Sequence, residues 1–303
     1  LGKHKRLDDG RARYIEFAKS TIPRAMNFEG LKIVVDCANG AAYRTAPEML
    51  WELGAQIVRI GVSPNGLNIN EGCGSTNTKL AQETVVAEKA DLGICLDGDA
   101  DRVHIIDNTG KLVDGDQIMA LITRSWARQG RLRGGGLVTT VMSNLGLERL
   151  LESEGLKTIR TQVGDRYVVE AMRNGNYNVG GEQSGHVVLS DFVTTGDGTI
   201  TALQVLSEIV HSGKTAAEIC HQFDPLPQLL QNVRFQRGQE PLKTDAVKSA
   251  ISAGEEKLNG HGRLLIRESG TEPVIRVMGE GENPDTVKDV VAEICETIEA
   301  QVA

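Results

Sequence analysis

The sequence predicts an α/β protein: two successive, similar α/β sheet domains followed by a smaller α+β domain at the C-terminus. Three observations lead there. Two stretches of the chain repeat one strand–helix–strand plan. Each is followed by a further strand that ends in a polar, Gly-rich loop. A break at Pro225-Leu226-Pro227 then opens a segment of strand-like runs closed by an amphipathic helix.

The first stretch begins with the apolar run Leu31 to Asp36 and turns at Asn39-Gly40. Ala46, Met49, Leu50 and Leu53 follow at i, i+3, i+4 and i+7, the spacing of one helix face. Gly54 ends that helix, and a strand runs from Gln56 to Ile60. The second stretch repeats this with a strand at Gly136 to Val141, a turn at Asn144 to Gly146 and a helix carrying Leu147, Leu150 and Leu151. A strand around Thr158 to Thr161 completes it. Such units are expected to be right-handed with parallel strands. In the last segment, strands are expected at Gln231 to Phe235, Gly262 to Arg267 and Val274 to Met278. Its closing helix opens with Asn283 as cap and Pro284 at the first helical position, and buries Val287, Val290, Val291, Ile294 and Ile298. Domains are accordingly expected at 1–108, 109–225 and 226–303.

Bulk properties bound the function. With 303 residues, 40% hydrophobic and 24% charged, the chain can build buried cores. A net charge of −8 argues against a general nucleic-acid footprint. No apolar run is long enough to span a membrane, and the first residues lack the apolar core of a signal peptide. The chain does not begin with Met, which raises the expectation of a longer parent protein. Five cysteines without a Cys-x-x-Cys pair are expected to be buried free thiols in a reducing, cytoplasmic setting.

Three loops carry chemistry. The first is Cys95-Leu96-Asp97-Gly98-Asp99-Ala100-Asp101-Arg102, between the apolar runs Leu92 to Leu96 and Val103 to Ile106. Three carboxylates at alternate positions repel one another, so their pKa values should rise unless a cation sits among them. A hard divalent ion is the natural cation. The loop is not an EF-hand: Arg102 stands where that template needs Gly, and Asn108 where it needs a bidentate Glu. The second is Gly180-Gly181-Glu182-Gln183-Ser184-Gly185-His186. Here a carboxylate can take two adjacent ring hydroxyls, Ser184 can donate or accept, and His186 can serve as a proton donor. The third is Arg267-Glu268-Ser269-Gly270-Thr271-Glu272-Pro273-Val274-Ile275-Arg276. Its small residues can form an anion-binding nest, with Arg267 and Arg276 adding bidentate contacts. Taken singly, these loops are also compatible with a solvated acidic turn, a Gly turn with a satisfied His and a hairpin with solvated arginines, the first being the weakest of the three. Asp165 and Asp197 look like helix caps, and Arg166 like a ligand contact.

In sequence order the three loops resemble the metal, sugar and phosphate loops of the α-D-phosphohexomutases, over the whole chain. The resemblance implies a mechanism in which a phosphoserine beside Mg²⁺ passes its phosphoryl group to a sugar phosphate. A hexose 1,6-bisphosphate then turns over and recharges the serine. By matching positions, Asp97, Asp99 and Asp101 would hold Mg²⁺, and Arg102 would contact the phosphoryl group. Glu182 and Ser184 would orient the sugar, His186 would assist proton transfer, and Arg267, Ser269, Gly270, Thr271 and Arg276 would clamp the phosphate that is not reacting. Val113-Asp114-Gly115-Asp116-Gln117-Ile118-Met119 and Gln183 look most like the bacterial branch that makes glucosamine 1-phosphate for cell-wall precursors.

The family's phosphoserine lies in a first domain, in a Thr-Ala-Ser-His-Asn-Pro type of loop. Gly74-Ser75-Thr76-Asn77 is the nearest lookalike here and lacks the His and Pro. The resemblance therefore runs from the connecting helix around Asp8 to Lys19 through domains two to four, and the chain alone is expected to be inactive. Its expected partners are a hexosamine phosphate and the first domain of the same protein, with neither nucleic acid nor membrane. Two alternatives stay open: a relative acting on glucose or mannose phosphate, and a sugar-phosphate-binding protein without turnover.

Overall fold

The computed structural model describes residues 9–236, 238–269 and 272–302. By contacts, the chain forms two compact units. One joins the chain up to Ser143 to Leu150–Phe223, and the other joins Asn144–Arg149 to the chain from Asp224 onward.

The first unit opens with helix α1 (Gly10–Lys19). Strand β1 (Lys32–Asp36), helix α2 (Thr45–Glu52), strand β2 (Gln56–Ile60), helix α3 (Lys79–Glu88) and strand β3 (Leu92–Leu96) follow. Strands β4 (Val103–Asp107) and β5 (Leu112–Val113) complete a sheet of order β2-β1-β3-β4-β5. Strand β1 pairs parallel with β2 and β3, while β3 and β4 form an antiparallel hairpin. Helix α4 (Gly115–Arg128) then leads to the second copy. Strand β6 (Gly136–Thr140), helix α5 (Leu145–Ser153), strand β7 (Lys157–Thr161), helix α6 (Asp165–Gly175), strand β8 (Val179–Gly181) and strand β9 (Val187–Leu189) give a sheet of order β7-β6-β8-β9. Its pairings match those of the first sheet: β6 is parallel to β7 and β8, and β8 is antiparallel to β9. The repeat read from the sequence is therefore a repeat of topology. The β3–β4 and β8–β9 turns occupy corresponding strand ends, where open α/β sheets bind ligands.

Helices α7 (Gly198–Ser212) and α8 (Ala216–Ile219) close this unit. The Asp197 carboxylate accepts from the Ile200 N–H, as expected of a cap, and also from the Tyr14 hydroxyl of α1 at 2.9 Å. Asp165 is not a cap. Gly164 holds that position, and Asp165 lies inside the first turn of α6. All five cysteines are buried free thiols.

In the second unit, β10 (Gln228–Arg234), helix α9 (Asp245–Leu258), β11 (Gly262–Glu268), β12 (Val274–Gly281) and helix α10 (Pro284–Val302) form an antiparallel sheet of order β10-β12-β11 with two helices. Asn283 accepts from the Asp285 and Thr286 N–H groups and starts α10. The core joins Val233, Ile275 and Val277 of the sheet to Val287, Val290, Val291, Ile294 and Ile298 of α10. Among the described residues, no helix is long and apolar enough to cross a membrane.

Candidate active site

Strand β3 is buried along its whole length and delivers Asp97 to the end of the sheet. The chain must then reverse into β4, so the three acids are held in a tight turn with Ala100 at φ +61°. Asp97, Asp99 and Asp101 offer carboxylate oxygens that all lie within 4.8 Å of one another. Asp97 is only 8% exposed. Its Oδ1 accepts from the Arg102 N–H at 3.1 Å. Burial first, and then the charges of Asp101 and Asp99, push its carboxyl up to about 6. The expected electrostatic conflict is thus real at Asp97. The Arg102 guanidinium relieves it only in part, its Nε lying 3.8 Å from Asp97 and 3.7 Å from Asp101.

The donor set fits a hard divalent cation. The ligands are all oxygens, and they converge. Buried Asp101 Oδ1 has no hydrogen-bond partner among the described residues. Two oxygens each about 2.1 Å from a Mg²⁺ can be at most about 4.2 Å apart, so small side-chain movements would close the set.

The β8–β9 turn docks on this loop. Arg102 and His186 form an antiparallel bridge. The Val103 N–H donates to the Gly185 carbonyl at 3.1 Å, and the Gly115 N–H to the Gln183 carbonyl at 3.0 Å. Gly185 is obligatory, with φ +91° and an added Cβ only 2.3 Å from the Val103 carbonyl oxygen.

His186 is not the accessible proton carrier expected. It is 4% exposed, and both ring nitrogens are engaged. The Gly196 N–H donates to Nε2 at 3.2 Å, so Nε2 carries the lone pair and Nδ1 the proton. Nδ1–H then donates to Asp101 Oδ2 at 3.1 Å. The imidazole holds one carboxylate of the acidic loop in place.

Glu182 and Ser184 line a cleft of about 410 Å³ together with His104, Asp114, Thr140, Met142 and Gln183. Arg166 is not brought to it. The Arg166 guanidinium stacks on the Tyr167 ring at 4.7 Å, and it lines a separate cleft with Arg173 and Thr194. Sequence reasoning did not single out His104, and took Asp114 only as part of the Val113–Met119 stretch. His104 reads as one more residue of a strand, and Asp114 is the cap of α4, accepting from the Gln117 N–H. Ser75, the serine lookalike, is buried, and its carbonyl accepts from His104 Nδ1 at 3.1 Å.

In the second unit, Arg267 and Arg276 are direct register partners on β11 and β12, and Asn232 stands opposite Arg276 on β10. Paired residues share a sheet face, so the two arginine side chains leave the sheet on one face, opposite Ile275 and Val277. Like charges so placed repel, and an anion between them would relieve the conflict. The Ser269 N–H donates to the Val274 carbonyl at 2.8 Å. Gly270 and Thr271 lie outside the described residues.

Models of the phosphoglucomutase/phosphomannomutase family match along the chain: α/β/α domain II at residues 12–110, α/β/α domain III at 114–226 and the C-terminal domain at 230–297. The chain is 60% identical over 300 residues to the phosphoglucosamine mutase of Ruegeria sp. (strain TM1040), covering 99% of this chain and 67% of that protein. It is likewise 60% identical to the phosphoglucosamine mutase of Sphingopyxis alaskensis, over 100% of this chain and 68% of that one. The fold superposes on Aspergillus fumigatus N-acetylphosphoglucosamine mutase, solved with GlcNAc-6P and magnesium, with TM-score 0.76 and 23% identity over 95% of this chain and 70% of that one. A phosphoglucomutase/phosphomannomutase family protein from Burkholderia thailandensis gives TM-score 0.78 at 20% identity, over 99% of this chain and 66% of that one. Domain models in the same order as the two sheet copies and the C-terminal unit, and relatives at 60% identity over the whole chain, make this polypeptide a member of the phosphoglucomutase/phosphomannomutase family.

Proposed function

We propose that the full-length protein interconverts glucosamine 6-phosphate and glucosamine 1-phosphate through a phosphoserine and a hexosamine bisphosphate, feeding cell-wall precursor synthesis in the cytoplasm. The observation that carries the reading is the convergence of Asp97, Asp99 and Asp101 in a loop held by the turn that bears Glu182 and Ser184. The 60% identity to enzymes named phosphoglucosamine mutase supports the choice of sugar.

In this reading Asp97, Asp99 and Asp101 hold Mg²⁺. The ion would supply Lewis-acid neutralisation of phosphoryl oxygens. Arg102, whose side chain is about half exposed beside the acids, reaches the phosphoryl group being transferred. Glu182 and Ser184 orient the sugar hydroxyls from the cleft wall. His186 is a positioning residue for Asp101. Arg267 and Arg276, with Ser269, Gly270 and Thr271, clamp the phosphate that is not reacting, so that either end of the sugar can be presented in turn. The reading assigns the phosphoserine to a further domain of the same protein, in keeping with a match to domains II to IV and 67% coverage of the Ruegeria relative. A hexose 1,6-bisphosphate would serve as activator.

The test is turnover of glucosamine 6-phosphate by the full-length protein with Mg²⁺ and a hexose bisphosphate. Full-length protein should be active, Asp99→Asn should lose at least about 100-fold in kcat, and the 303-residue chain alone should be inactive. Undiminished activity in Asp99→Asn would refute the metal assignment. Turnover by the 303-residue chain would refute the assignment of the nucleophile.

A further inference from the structure

We propose that Tyr14 and Asp197 are positioning residues for the acidic loop: the Tyr14 hydroxyl fixes the segment 196–198, which in turn holds Ala100 and Asp101. The inference rests on the reading of that loop as a Mg²⁺ site and goes beyond it, by naming what orients the carboxylates from outside.

The segment Gly196-Asp197-Gly198 grips the acidic loop twice. The Gly198 N–H donates to the Ala100 carbonyl at 2.9 Å. The Gly196 N–H donates to His186 Nε2 at 3.2 Å, and His186 Nδ1 donates onward to Asp101 Oδ2 at 3.1 Å. The approach is backbone on backbone, since a Cβ at Gly196 would stand 2.7 Å from the Asp101 carbonyl oxygen. A shift of the segment is therefore passed on to the loop.

The two glycines give neighbouring elements no side chain to hold. Asp197, between them, is the handle. Its Oδ1 accepts from the Ile200 N–H at 2.9 Å, a bond that starts α7 but ties the segment only to its own helix. The Tyr14 hydroxyl reaches both carboxylate oxygens, at 2.9 and 3.0 Å. Burial first, and then the Asp197 charge, raise the pKa of Tyr14, so the hydroxyl keeps its proton and donates.

Tyr14 is itself held. Helix α1 buries Ile15 and Ala18. Ion pairs from Arg11 to Glu48 at 3.2 Å and from Lys19 to Glu52 at 2.6 Å fasten it to α2. Helix α2 belongs to the first sheet copy, which also supplies the acids. The hydroxyl thus ties the segment to the body that carries the loop. Without it, Asp101 would be oriented by a histidine whose own backbone partner is no longer anchored. Groups that stand behind the ligands of a metal site govern its affinity in this way, by holding the ligand side chains in one orientation.

The experiment is calorimetric titration of the folded 303-residue chain with Mg²⁺, with urea unfolding as a separate measure of stability. Tyr14→Phe removes the hydroxyl and leaves the ring. Asp197→Ala removes the handle, whereas Asp197→Asn keeps an oxygen acceptor for Tyr14 and caps helices equally well. Asp107→Asn, at the far end of the β3–β4 hairpin, is the control for lost stability alone. Tyr14→Phe and Asp197→Ala should each bind Mg²⁺ about tenfold more weakly. Asp197→Asn and Asp107→Asn should stay close to wild type. Trp126 fluorescence reports the fold, and the comparison of Asp197→Ala with Asp197→Asn carries the test without touching α1. A lowered urea midpoint with undiminished Mg²⁺ affinity in Tyr14→Phe would make the pair a structural link only and overturn the inference. An equal loss of affinity in Asp107→Asn would overturn it too, and either result leaves the mutase reading standing. A folded wild-type chain that binds no Mg²⁺ would remove the metal assignment, and the inference with it.

Discussion

Replacing Asp97 by Asn should stabilise the metal-free chain at neutral pH. Asp97 is 8% exposed, and its carboxyl rises from 3.8 to about 6, chiefly through burial and then through its acidic neighbours. A carboxyl whose folded pKa is raised resists ionisation in the folded state. The penalty is absent below the unfolded pKa, grows as pH rises, and is complete above the folded one. Converted at 1.36 kcal/mol per tenfold, the change amounts to about 3 kcal/mol at pH 8. Asn keeps the acceptor for the Arg102 N–H and carries no charge. Between pH 8 and pH 5 the advantage of Asp97→Asn should shrink by about 1.5 kcal/mol as the wild-type carboxyl takes up its proton. The assay is urea unfolding in a chelator, followed by Trp126, which is 3% exposed in the first unit. Adding Mg²⁺ should stabilise the wild type and not the variant. An Asp97→Asn chain less stable than wild type at pH 8 in chelator would refute the account of the loop as a strained, cation-seeking cluster.

Arg276→Ala should weaken titration of sugar phosphate by about 1.5–3 kcal/mol, the scale of a charge-assisted hydrogen bond; unchanged affinity would remove the clamp. Asp107 is fully buried; burial acts to raise its pKa, but hydrogen bonds from Thr109, His221 and Lys111 outweigh this and hold it low. Asp107→Asn should therefore cost about 1–3 kcal/mol at pH 7 and progressively less as pH falls below the ordinary carboxylate range, which urea midpoints across pH would show. Gly185→Ala, with φ +91° and a Cβ 2.3 Å from the Val103 carbonyl oxygen, should lower stability by about 2–4 kcal/mol and impair metal binding by moving the turn that carries His186; a neutral effect in calorimetry would contradict the docking.

The hairpin, the repeat and the strand ends that carry the loops were legible because each rests on local pattern. Alternating or continuous apolar runs, Gly turns and a Pro at the first helical position are properties of neighbours in sequence. Strand β10 began at Gln228 where the apolar run suggested Gln231, because Gln228 and Leu229 pair with Glu280 and Gly279, which carry no apolar signal of their own. The acidic loop was legible in its carboxylates, whose chemistry is visible residue by residue. The role of His186 was not legible, since a histidine between Gly185 and Val187 in a polar turn gives no sign that Asp101, 85 positions away, and the Gly196 N–H will bury it.

The acidic loop is held from two sides by backbone, and this explains where glycine is unavoidable. On one side lies the β8–β9 turn, through Gly185. On the other lies the start of α7, where the Gly198 N–H donates to the Ala100 carbonyl at 2.9 Å. A Cβ at Gly196 would stand 2.5 Å from His186 Cε1, and one at Gly198 would stand 2.5 Å from the Arg102 carbonyl oxygen. Backbone-to-backbone contact of this kind fixes a loop more tightly than long side chains would. The contact at Ala100 is thus made by the first residue of a 15-residue helix, a rigid support for the loop backbone. The second sheet copy therefore does more than carry the Glu182–His186 turn. It sets the geometry of the acids donated by the first copy, which converge without help from a ligand, the condition that the proposed charge stabilisation without reorganisation needs.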